Sequence, residues 1–216
     1  MAARPRRKVA TTLALAMAVG ACVTAVGPAL GQARGAAAAE ATGPSPPAPP
    51  SAAAPAAAAG GEPPLRPLAV PVQSVAAAQL QDTFHAARGG SRQHQALDIA
   101  APRGRPVYAA DDGTLVKLFR SVPGGLTLYQ FDPERRVAYY YAHLDRYADG
   151  LREGMALRRC DLIGYVGTSG NAPADAPHLH FAVFRLGALR QWWVGSPVDP
   201  LPALRAGAAA GLGCSG

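Results

Sequence analysis

The residues after about position 67 encode a mostly β domain of antiparallel strands, and three observations predict it. Short runs rich in Val, Ile, Leu, Tyr and Phe recur between glycines and prolines from 67 to 205, as expected for strands joined by turns. The run Pro177–Phe184 is apolar, short and free of internal glycine, which suits a strand better than a helix. The stretch is also long enough for one domain with a core of its own.

The elements follow in chain order. Residues 1–31 carry Arg4, Arg6, Arg7 and Lys8, then an apolar run from Val9 to Val26, then Gly27-Pro28-Ala29-Leu30-Gly31. This is the tripartite form of a secretory signal, with cleavage expected before Gln32. A second reading takes Val19-Gly20-Ala21-Cys22 as a lipoprotein signal that leaves Cys22 lipidated as a membrane tether, and a third takes the segment as an uncleaved anchor. All three place the protein outside the cytoplasm, periplasmic or associated with the cell envelope. Residues 32–66 are dominated by Ala, Pro and Gly and read as a disordered linker, whose thirty-five residues reach on the order of 100 Å when extended.

Within 67–205, Val75–Leu80 is a candidate helix. Strands are expected at Val107–Ala110, Thr114–Phe119, Thr127–Phe131, Val137–Leu144, Ile163–Val166 and His178–Arg185, each bounded by turn residues. Residues 206–216 read as a C-terminal tail.

The formal charge of +7 belongs partly to the leader. Removing 1–31 leaves 17 Lys+Arg against 14 Asp+Glu, a net +3. A nucleic-acid partner is therefore not expected, and a mild positive charge suits a carboxylate-bearing polymer.

Four of the five histidines fall in three fragments: His94-Gln95-Ala96-Leu97-Asp98, Tyr141-Ala142-His143-Leu144 and His178-Leu179-His180. Residues two apart on a strand share a face, so His178 and His180 project together while Leu179 and Phe181 enter the packing. A catalytic zinc takes three protein ligands and keeps a position for water. The candidates are His94, Asp98 and one of the pair. A surface turn after Gly89-Gly90-Ser91 would account equally for His94 and Asp98, and a half-buried strand position for His143. Alternation also puts Tyr139, Tyr141 and His143 on one face, where Tyr141 either orients the site or packs across strands.

An ordered series of motifs resembles the lysostaphin-type (LytM-type) zinc endopeptidases, which cut peptide bonds in bacterial peptidoglycan. It runs from about Thr83 to Pro202. Arg92–Ile99 resembles the first metal motif and Gly104–Gly113 the strand and turn after it. Tyr141–Leu144 follows, then Gly164–Asn171 as the glycine-rich turn leading into His178–Phe181, and Gly195–Pro200 as the closing segment. The resemblance implies an antiparallel β-sandwich with a barrel-like duplicated hybrid motif, which the weak likeness of Gly104–Val116 to Gly154–Val166 suits. It implies that His94, Asp98 and His180 hold one Zn2+ per chain, that His178 is the general base, and that His143 stabilises the oxyanion. Ala96 and Cys160 stand where glycine is commoner, and His85 where glycine often follows phenylalanine; His85 reads best as a surface histidine.

No HExxH occurs, so the proton acceptor is expected to be histidine, whose ordinary pKa of about 6.5 lies near the working pH. Trp192-Trp193 is either a substrate platform or, preferably, packing under the last turn. Cys160 and Cys214 remain after either leader cleavage and are expected to pair outside the cytoplasm. The expected function is a secreted zinc endopeptidase (a metalloprotease) acting on peptidoglycan cross-links or stem peptides. The alternative is a catalytically silent wall-binding or amidase-activating module, and a third reading is a zinc hydrolase of another peptide.

Overall fold

The computed structural model describes residues 63–89 and 91–214. The leader at 1–31 and most of the linker at 32–66 lie outside the described residues. Nine strands follow in chain order: β1 (Leu97–Ala100), β2 (Pro106–Tyr108), β3 (Gly113–Ser121), β4 (Gly125–Phe131), β5 (Val137–Tyr147), β6 (Ala156–Leu157), β7 (Leu162–Val166), β8 (His178–Leu186) and β9 (Gly195–Val198). One helix, α1 (Leu201–Ala209), closes the described chain. All strand pairings are antiparallel, in agreement with the mostly β expectation.

Each expected strand is present within a few residues. The short β1, β6 and β9 were not expected, since one carries Asp98, one spans two residues, and one contains Gly195 and Pro197. The helix expected over Val75–Leu80 is a single 3-10 turn at Ala77–Gln79, where the Ala76 N–H donates to Gln79 Oε1 at 2.8 Å.

The main path of the sheet runs β1-β8-β5-β4-β3-β6, with β7 bridging β2 and β5 and with β9 on β8. Among the described residues this path does not return on itself. The barrel-like closure implied by the resemblance is therefore not formed; β1 and β6 end the path as strands of four and two residues. The two weakly alike segments do meet as an approximate two-fold pair. The Gly104 N–H donates to the Val166 carbonyl (2.7 Å) and the Val166 N–H to the Arg105 carbonyl (2.8 Å). Correspondingly, the Gly154 N–H donates to the Leu115 carbonyl (2.7 Å) and the Leu115 N–H to the Met155 carbonyl (2.9 Å).

Strand β5 is the spine. It pairs with β4, β7 and β8 and is buried on both faces from Val137 to Leu144, which explains its continuous apolar run. One face carries Tyr139 and Tyr141 into the main core with Leu97, Ile99, Leu179, Phe181 and Val183. The other carries Tyr140 and Ala142 into a second cluster with Ala96, Tyr129 and Ala182, covered by Phe184 and Trp192. Trp192 packs against Phe119 and Tyr129, at ring-centre distances of 5.7 and 4.7 Å, and Trp193 lies against Trp192.

Both ends of the described stretch are fastened to this core. Leu65 packs on it, and the Arg66 guanidinium reaches the fully buried Asp111 (2.5 Å), which also accepts from Arg159 (2.7 Å) and the Tyr139 hydroxyl (3.0 Å). A charge with no exposure requires such partners. The packed chain thus begins at least two residues before the boundary drawn at 67. The boundary drawn at 205 falls inside α1. Gly207 of that helix lies so close to Leu68 that a Cβ would stand 1.9 Å from the Leu68 carbonyl oxygen.

Beyond α1, Cys214 is bonded to Cys160, with a Cα–Cα distance of 5.1 Å. Cys160 occupies the third position of the turn 158–161 at φ +70°, the left-handed conformation that a type II turn demands there and that glycine meets most easily. Cys214→Ser in the full chain is expected to lower the unfolding free energy by about 2–4 kcal/mol. A lower urea midpoint under oxidising conditions, with zinc content unchanged, would show it.

Candidate metal centre and cleft

The register of β8 with β1 and β5 builds the site. Asp98 is opposite His180, and Ala142 is opposite His180 from the other side. Leu179 and Phe181 are fully buried, so His178 and His180 turn outward together, as the alternation predicts. His94 precedes β1 in a loop, and Gln95 beside it takes φ +57°. That kink brings His94 back over Asp98. Ala96 has no left-handed φ; the unusual backbone sits one residue earlier, at Gln95.

His94 Nε2, Asp98 Oδ1 and His180 Nδ1 lie 3.0 Å from one another in all three pairs. Tetrahedral zinc with bonds of about 2.0–2.1 Å sets neighbouring donor atoms about 3.3 Å apart, a small expansion of this triangle. The donor chemistry agrees. The His94 Nδ1–H donates to the Thr83 carbonyl (2.9 Å), leaving Nε2 as a bare acceptor in the neutral ring. Even with a proton on Nδ1, a neutral His180 supplies one donor to two acceptors. A cation at the centre satisfies all three atoms, and the open side of the triangle faces the cleft.

The other two histidines flank the triangle. His178 Nδ1–H donates to the Ala176 carbonyl and His143 Nδ1–H to the Ser169 carbonyl, both at 2.8 Å. Each ring is thereby held as the tautomer that leaves Nε2 unprotonated. The two ring centres are 5.0 Å apart, and His143 is 5.6 Å from His180. Burial pushes the His143 imidazole down to about 4, against the opposing effect of the Ser169 hydrogen bond. It is neutral at neutral pH.

His143 corrects the alternation argument. Its φ is +61°, and the β4 and β7 registers shift on either side of it. This irregularity re-aims the ring. Tyr141 is on the opposite face, fully buried; its hydroxyl donates to Gln130 Oε1 (2.9 Å) and accepts from the Ala110 N–H (3.0 Å). Tyr140, not Tyr141, lines the site, with its ring 6.0 Å from His180.

The glycine-rich turn acts through Ser169. Its hydroxyl donates to the Leu144 carbonyl (2.7 Å) and accepts from the Leu126 N–H (2.9 Å), fixing the carbonyl that holds His143. This requires a close approach at Gly170, whose Cβ would stand 2.3 Å from the Gly125 nitrogen. Thr83 similarly supports two of the candidate ligands, since its Oγ1 accepts from the Asp98 N–H (3.0 Å) while its carbonyl holds His94. Neither role carries a sequence signal, because each uses a backbone atom or a distant loop. His85 is exposed against Phe84 and does not line the cleft.

All five histidine and aspartate positions open onto one cleft of about 1240 Å³, ample for a polymer segment. Arg88, which carries no motif signal in the sequence, pairs with Asp98 Oδ2 and leaves Oδ1 to the triangle. Such an outer partner orients a ligand and tunes its affinity. Arg88→Ala is expected to weaken zinc binding about 10–100-fold, with Arg88→Lys recovering part; competition against a fluorescent chelator measures this without reference to turnover.

The model of Peptidase family M23 matches residues 92–200. The chain is 32% identical over 123 residues to the L-Ala--D-Glu endopeptidase of Bacillus subtilis (strain 168), covering 55% of this chain and 36% of that one. It is 33% identical over 111 residues to DD-carboxypeptidase/endopeptidase Mpg of Neisseria meningitidis serogroup B, covering 51% and 22%. Among solved structures it resembles lytM from Ruminococcus gnavus, with TM-score 0.53, 28% identity, and 68% and 61% of the two chains covered. Helicobacter pylori Csd3 gives TM-score 0.50, 26% identity, and 65% and 33% coverage. The match thus spans about a third or less of the two named enzymes' own length.

Proposed function

Because this chain belongs to peptidase family M23, we propose that it is a zinc-dependent endopeptidase that hydrolyses peptide bonds in peptidoglycan cross-links or stem peptides. The observation that carries the reading is the 3.0 Å triangle of His94, Asp98 and His180 with two tethered histidines beside it in one cleft. The relatives named for L-Ala--D-Glu endopeptidase and DD-carboxypeptidase/endopeptidase activity supply the substrate class. Bound zinc, one per chain, would lower the pKa of its water towards about 7 and polarise the scissile carbonyl.

The chain's own residues supply the proton path. His178 Nε2 accepts the proton of the attacking water and returns it to the leaving amine. His143 faces the same space and stabilises the developing oxyanion. Its Nδ1–H is already committed to Ser169, so His143 donates to the oxyanion only as the imidazolium, with the second proton taken up on Nε2 from solvent water in the open cleft as the negative charge develops. Thr83, Ser169 and the Ala176 carbonyl keep the rings in place throughout.

Export belongs to the same proposal, either by cleavage before Gln32 or by a lipid tether at Cys22, and the Cys160–Cys214 bond supports an oxidising compartment. The β-sandwich arrangement with its duplicated motif is likewise part of the proposal. The alternative of a silent wall-binding or amidase-activating module is disfavoured by the complete ligand set. Mass analysis of fragments released from purified peptidoglycan decides between them. The expected result is new peptide termini that vanish with chelator and return with zinc; full zinc occupancy without any released fragment would establish the silent module.

A further inference from the structure

Three charged side chains line the cleft: Arg88, Arg92 and Asp98. Arg88 and Asp98 form an ion pair. Arg92 has no side-chain hydrogen bond or ion pair with any described residue, although most cations near acids in this fold are compensated, as Arg66 and Arg159 are at Asp111 and Arg103 is at Asp145.

The backbone holds Arg92 in place. The Arg88 N–H donates to the Arg92 carbonyl at 3.0 Å, and Ala87 is bridged to Gln93. Arg92 is two residues before His94, whose own N–H donates to the Ala86 carbonyl at 2.8 Å. These bonds tie the backbone that carries Arg92 to the segment that carries His94. A guanidinium left over at that distance along the chain offers a planar pair of donors to a carboxylate.

We propose that Arg92 is a specificity-determining residue that selects peptides bearing a free carboxylate beside the scissile bond. The proposal rests on the peptidase reading above and names the substrate feature that the same cleft recognises. A charge-assisted pair of this kind is worth about 10–100-fold in affinity. The exposure of Arg92 reduces the expected effect to about two- to fivefold.

The test uses the zinc-loaded full chain and two synthetic stem peptides identical except for a carboxylate or a primary amide next to the scissile bond. Each is also prepared N-methylated at that bond, so that binding is read without turnover. The wild-type protein is expected to prefer the carboxylate peptide about two- to fivefold in Kd and in KM, with the preference shrinking as salt is raised. Arg92→Gln brings the ratio close to one, and Arg92→Lys keeps part of it. Equal binding of the two peptides by wild type, or an undiminished preference in Arg92→Gln, overturns the proposal. Preferential binding without cleavage of either peptide would remove the peptidase reading and leave the role of Arg92 standing; cleavage of both without preference would do the reverse.

Discussion

His180→Ala protein is expected to lose its bound metal and its turnover together. His180 Nδ1 is 3.0 Å from both other ligand atoms, so its removal leaves a two-ligand fragment where a catalytic zinc needs three. His94→Ala should behave alike, because its Nε2 closes the same triangle. Metal content after dialysis is the direct readout, and circular dichroism checks that the β fold survives. Activity should fall to background, since both the nucleophile and the carbonyl polarisation depend on the metal. Full zinc occupancy in both variants would overturn the ligand assignment.

The second large effect separates metal binding from proton transfer. His178→Ala keeps all three ligands, so zinc should stay while turnover falls about 100-fold to 10,000-fold, the usual contribution of a general base. His143→Ala should cost about 100-fold to 1,000-fold, the usual contribution of an oxyanion donor. Because both rings present an unprotonated Nε2, alanine alone cannot tell their roles apart. Glutamine can. Its amide donates a hydrogen bond but cannot take a proton at neutral pH, so His143→Gln should recover part of the lost activity and His178→Gln none. The reverse pattern in kcat, measured at full zinc occupancy, would exchange the two assignments.

The parts of this site legible in the sequence are those built by local geometry. The period of two in His178-Leu179-His180 puts both rings on one face because successive Cβ atoms alternate across a strand. Leu179 and Phe181 confirm it by full burial. The same rule failed one strand away. It grouped Tyr141 with His143, but His143 takes a left-handed φ at an irregularity in β5, and one such residue moves every later side chain to the other face. Helix α1 is hidden in the sequence for a related reason: its Pro202, Gly207 and run of alanines offer little amphipathic signal, and its place is set by contact with Leu68.

The amino-acid sequence set the chemistry available: which residue types recur in metal-ligand spacing, which runs pair as antiparallel strands, and which two cysteines are free to pair. Those are properties of composition and short-range periodicity. Only the tertiary structure decided that His94, Asp98 and His180 converge to 3.0 Å, that Thr83 and Ser169 set the histidine tautomers, and that Arg88 is consumed by Asp98 while Arg92 is not. These contacts join residues up to 86 positions apart. They depend on strand register and on close glycine approaches, and neither is encoded by any one segment read alone.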